Sequence, residues 1–141
     1  MKNTNLMVLA IVSLLGGCGH DDAADQQAIR QVMLQTWDRP QSHLEAGPIA
    51  VSGSHAVADW SQGEMGGRAL FEKRGEKWVV TLCGGDALRT EAGLLRAGMP
   101  ANVAEELADE LSVAERSIPA GRLAKMAKFA GEIRMDGRSQ Q

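Results

Sequence analysis

Apolar positions along the chain follow two rhythms. Ile29, Val32, Met33, Thr36 and Trp37 recur at helical spacing, which predicts a helix from a cap at Asp25 to about Trp37. Asp38-Arg39-Pro40 stops it, because a residue before proline avoids the helical region. The rhythm then changes to alternation. Gln41 to Gly47 reads as a loop or irregular edge strand, and Pro48 to Ser52 as a short strand. His55 to Gln62, Arg68 to Lys73 and Lys77 to Cys83 are three further strands. Gly53-Ser54, Gly63 to Gly67 and Arg74-Gly75-Glu76 are the turns between them. In the second strand Ala56, Ala58 and Trp60 share the face expected to be buried; His55, Val57, Asp59 and Ser61 share the other. Strands joined so closely must pair antiparallel.

Helical spacing returns after Gly84-Gly85. Asp86 is suited to cap a helix from Ala87 to Ala97, closed by Gly98. Pro100 suits the first turn of the next, whose inner stripe is Val103, Leu107 and Leu111. A last helix begins near Pro119, with Ser117 as its cap and Leu123, Met126, Ala127 and Ala130 inside; Ile133 extends it. The predicted fold is α+β: one N-terminal helix packed on a four-stranded antiparallel sheet, loosely cystatin-like, followed by three C-terminal helices.

The 141 residues suggest a single domain. The start of the chain is of another kind. Leu6 to Leu15 is an apolar run of ten residues, too short to span a bilayer but suited to a signal peptide. It ends in Leu15-Gly16-Gly17-Cys18, which resembles the lipobox of bacterial lipoproteins. That resemblance implies cleavage after residue 17 and a lipid on Cys18; the plainer alternative is an ordinary secretory leader cut nearby. The expected organisation is a leader over 1–17, a lipidated Cys18 and tether to residue 24, one domain over 25–135, and a loose tail over 136–141. Loss of Lys2 with the leader moves the net charge from −3 to −4. No basic stripe points to nucleic acid.

No hydrolytic triad, phosphate-binding loop or metal-ligand spacing is legible, so the chain is not expected to be an enzyme. With Cys18 lipidated, Cys83 is the remaining thiol, and a buried small hydrophobe is its ordinary role. Paired with His43 or His55 it is the one candidate for thiol chemistry. Thioether, thiol and imidazole groups together suit Cu(I). Met33 and Met126 lie on apolar helical faces and read as core. Met65 stands in the Gly63-Glu64-Met65-Gly66-Gly67 turn, where periodicity gives an apolar side chain no place. The candidate metal ligands are therefore Met65, Cys83 and His55. Cys83 is expected a strand length, roughly 17–20 Å, from Met65 and close to His55. A free amine on Cys18 followed by Gly19 and His20 would be a separate site for square-planar Cu(II) or Ni(II), blocked if that amine is acylated.

Three runs carry a family resemblance: Trp37-Asp38-Arg39-Pro40, Trp60-Ser61-Gln62-Gly63-Glu64-Met65-Gly66-Gly67-Arg68-Ala69-Leu70, and Trp78 through Leu82-Cys83-Gly84-Gly85-Asp86. Together with Ala97-Gly98-Met99-Pro100 and the stretch to Arg134-Met135, they resemble a small family of bacterial exported proteins described as copper uptake system-associated. The resemblance implies a process rather than a ligand set: copper, or a partner in copper uptake machinery such as an outer-membrane receptor. The reading is a periplasm-facing lipoprotein on the outer membrane, held there by its lipid alone. A structural partner that binds no metal and a thiol-dependent enzyme using Cys83 are the alternatives.

Overall fold

The computed structural model describes residues 21–137. Helix α1 spans Asp22–Trp37. Strands β1 (Leu44–Ser52), β2 (His55–Gln62), β3 (Met65–Arg74) and β4 (Lys77–Gly84) follow. A short 3-10 helix, Asp86–Arg89, leads into α2 (Glu91–Arg96), α3 (Ala101–Glu115) and α4 (Ala120–Ala127), and β5 (Glu132–Arg134) closes the sheet. The protein is thus α+β, with the N-terminal helix on a five-stranded antiparallel sheet in the simple order β1-β2-β3-β4-β5. Among the described residues no helix is long and apolar enough to cross a membrane. Cys18, Gly19 and His20 lie outside the described residues.

Several expectations are corrected. Asp21, not Asp25, caps α1, accepting from the Ala24 amide at 3.2 Å. Asp22 to Ala24, expected in the tether, are therefore helical. Asp25 sits a turn further in and is buried. It takes Lys73 Nζ at 2.9 Å and accepts from Trp78 Nε1 at 3.0 Å. Strand β1 starts at Leu44 and passes through an irregularity between Ala46 and Ile49. Its outer edge is covered by side chains: Gln26 and Arg30 of α1 donate to the Ile49 and Ala46 carbonyls, and Glu110 accepts from the Val51 amide.

The four-stranded sheet becomes five-stranded because Ile133 leaves the helical pattern and pairs with Cys83 in β5. The helix expected over Ala87–Ala97 breaks at Thr90, whose hydroxyl accepts from the Gly93 amide and caps α2. Pro119, not Ser117, precedes the first turn of α4; the Ser117 hydroxyl bonds back to Ala114. Asp136, assigned to the tail, is tied to Arg74 at 3.3 Å.

The sheet is buried on both faces. One apolar cluster joins Ile29 and Met33 of α1 to Ala56, Ala58, Ala69, Phe71 and Trp78, with Trp60 at its margin. The second joins Val57, Leu70 and Leu82 to Leu88, Leu94, Leu107 and Leu111. Trp78 is buried, whereas Trp60, expected on the buried face, is half-buried and edge-on to Phe129, 6.0 Å between rings at 87°. Met33 and Met126 are fully buried, as their periodicity predicted. The glycine runs have a packing role. A side-chain carbon on Gly66 would lie 2.9 Å from the Met126 amide nitrogen, and one on Gly85 2.5 Å from the Phe129 carbonyl oxygen. Both positions let α4 and the segment after it rest on the sheet backbone.

Candidate functional site

Helix α1 crosses its face of the sheet obliquely. Near its start Asp25 holds Lys73 and Trp78 on β3 and β4. At its end the Trp37 carbonyl accepts from Gln62 Nε2 on β2 at 2.8 Å. The opposite corner of that face, where β4 ends and β3 and β5 begin, has no helix over it. A cavity of about 240 Å³ fills that corner, lined by Trp37, Leu44, Trp60, Met65, Cys83, Phe129, Ile133 and Met135, with Gln62 at its side. Met65, Ile133 and Met135 account for three of the six large hydrophobic side chains exposed among the described residues. Met65 is the most open of these, at 65%.

Register sets the spacing of the three sulfur side chains. Met65 begins β3 opposite Gln62, and Ala69, four residues on, faces Cys83. That puts Met65 roughly 13 Å along the strand from the level of Cys83. Cys83 faces Ile133, and the Met135 amide donates to the Thr81 carbonyl at 3.0 Å. Cys83 and Met135 are thus diagonal neighbours, with backbones about 7–8 Å apart, within reach of a long side chain. Cys83 is the buried donor, Met135 lies beside it with 40% of its surface exposed, and Met65 stands at the mouth.

The expected grouping is corrected in two respects. Cys83 shares the cavity of Met65, since in an antiparallel meander β4 ends where β3 begins. His55 is at the other end of the sheet, opposite Ser52 and Glu72, in a polar depression with Arg134 and Asp136. It approaches neither sulfur. His43 is exposed and sits 3.4 Å from Asp38. Burial pushes the Cys83 thiol up to about 11, so it is protonated at neutral pH and a poor nucleophile. No cluster of three or more His, Cys, Asp or Glu suited to a metal ion occurs among the described residues.

The other face carries a polar cluster that the sequence reading missed. Arg68, fully buried on β3, lies 3.3 Å from Asp59 of β2, 2.7 Å from Glu115 at the end of α3, and 2.9 Å from Asp86. Arg89 lies 2.9 Å from Glu115. Arg122 of α4 donates to Ser61 and pairs with Glu45. Reading Gly63-Glu64 as a two-residue turn would have made Asp59 and Arg68 direct partners. The expected Gly63–Gly67 turn hid that register.

Comparison with protein-family models, with curated proteins and with solved structures finds no match.

Proposed function

We propose that this protein is a lipid-anchored accessory to copper acquisition that binds Cu(I) in the sulfur-lined cavity and passes it on. The observation that carries this reading is the donor set: two thioethers and one thiol line one apolar cavity, and neither a carboxylate nor an imidazole joins them. Soft donors of this kind suit Cu(I). Charge points the same way. Cys83 is the one ionisable lining group; on binding it exchanges its proton for the metal, Cys–SH plus Cu⁺ giving Cys–S–Cu plus H⁺. The product is neutral. A divalent ion would leave an unbalanced positive charge in an apolar cavity.

Cys83 and Met135 are the holding pair in this reading, and Met65 at the mouth is the point of transfer to a partner. A lipid on Cys18 would hold the domain at the periplasmic face of the outer membrane, beside copper uptake machinery such as a receptor. The exposed apolar rim of Met65, Ile133 and Met135 supports a second reading, a structural partner of an outer-membrane complex that binds no metal. A competition titration of reduced protein with Cu(I) separates the two. Cys83→Ser is expected to weaken binding by at least about tenfold. Met135→Leu should weaken it less. Met65→Leu should keep the affinity but slow transfer to a soluble chelator. Affinity unchanged in Cys83→Ser would remove the metal reading and leave the structural one.

A further inference from the structure

The cluster under α3 leaves buried carboxylate oxygens without hydrogen bonds. Asp59 is fully buried, and neither of its carboxylate oxygens has a hydrogen-bond partner. The same is true of Glu115 Oε2, which Arg89 approaches without hydrogen-bond alignment. These orphan atoms are acceptors on facing groups, so added donors on Arg68 do not resolve them: its Nε and Nη2 both go to Glu115 Oε1, and its Nη1 goes to Asp86. The groups converging on this point are Arg68 from β3, Glu115 from α3, Asp86 and Arg89 from the 3-10 helix, Arg122 and its partner Glu45 from α4 and β1, and Ser61 from β2. Of the charged groups only Asp59, Glu115, Arg68 and Arg122 are buried, and the two buried carboxyls face each other with oxygens left unbonded. One proton between them gives both orphan carboxyls a hydrogen-bond partner.

We propose that Asp59 and Glu115 share one proton in the folded protein, and that this proton is a latch holding the C-terminal helices, and with them the outer wall of the cavity, on the sheet. The wall belongs to the same segment: Arg122 anchors α4, the Phe129 carbonyl rests on Gly85, and Phe129, Ile133 and Met135 line the cavity. Burial first, then the Glu115 charge, pushes the Asp59 carboxyl up to about 7 from an ordinary value of 3.8. The folded state therefore holds more protons than the unfolded one between those values. Stability falls as pH rises through that window and levels off above about 7. The wall loosens as the proton leaves, which makes the cavity more open in mildly alkaline than in mildly acidic surroundings, whatever occupies it.

The test compares the protein with Asp59→Asn from about pH 5 to 8.5, above the range of ordinary carboxylates. The unmodified protein should show a urea midpoint that falls toward pH 7. The amides of Phe129 to Met135 should lose about tenfold in exchange protection, corrected for intrinsic rate. Asp59→Asn, whose amide donates permanently, should abolish both changes, while the background from all other groups stays common to the two proteins. Infrared spectra of the unmodified protein provide a measurement independent of the variant. A protonated-carboxyl band should be present in the folded state near pH 6 and vanish on unfolding. A missing band, a flat stability profile, or the same slope in Asp59→Asn would overturn the proposal.

Discussion

Arg68→Ala is expected to lower stability by about 3–5 kcal/mol, enough to unfold much of a marginal domain. The guanidinium is fully buried and is the one group that touches Asp59, Glu115 and Asp86 together. Without it the buried Asp59–Glu115 pair loses its central cation, and the end of α3 loses its tie to β3. Arg68→Lys should recover little, because a single ammonium cannot bond Glu115 and Asp86 in the fork that Arg68 uses. Urea unfolding of the three proteins reads this directly. A loss below about 1 kcal/mol for Arg68→Ala would show that the cluster relaxes into water.

Trp78→Ala should cost about 3–5 kcal/mol, the usual range for removing a buried Trp. Trp78 is 5% exposed, its ring lies 5.7 Å below Lys73 Nζ, and its Nε1 donates to Asp25. It therefore joins β4 to the start of α1 by packing and by a hydrogen bond to a charged group. Trp78→Phe keeps most of the volume and loses the bond, for about 1.5–3 kcal/mol. Trp60→Ala should cost less than Trp78→Ala, because Trp60 is half-buried at the cavity margin. Thermal and urea unfolding of the three variants provides the ranking. Equal losses for Trp60→Ala and Trp78→Ala would contradict the assignment of Trp78 as the deeper anchor.

The central strands were legible because alternation and glycine turns bracket them: β2 occupies His55–Gln62, as predicted. The α3 stripe of Leu107 and Leu111 was legible for the same kind of reason. Strand β5 was not. It is three residues long and exposed, and Ile133 falls at helical spacing after Met126 and Ala130, so periodicity assigns it to a helix. The second buried face was also hidden. Asp59 and Ser61 alternate with apolar residues as solvent-facing positions do, and their burial depends on Arg68, Glu115 and Arg122 arriving from distant parts of the chain. Of the candidate site, Met65 and Cys83 were singled out by residue type, while their shared cavity follows from the direction of β4 and from Phe129 and Met135 beyond α4. The Gly-Gly runs beside both residues stand out in the sequence, and two of those glycines, Gly66 and Gly85, seat α4 and Phe129.

The most direct test of the sulfur-lined cavity as a copper site is X-ray absorption on reduced protein carrying one equivalent of Cu(I). A first shell of sulfur alone is expected, reduced in number by Cys83→Ser and by Met135→Leu and unchanged by His55→Ala. A shell containing nitrogen that disappears in His55→Ala, or copper that remains with the chelator, would contradict it.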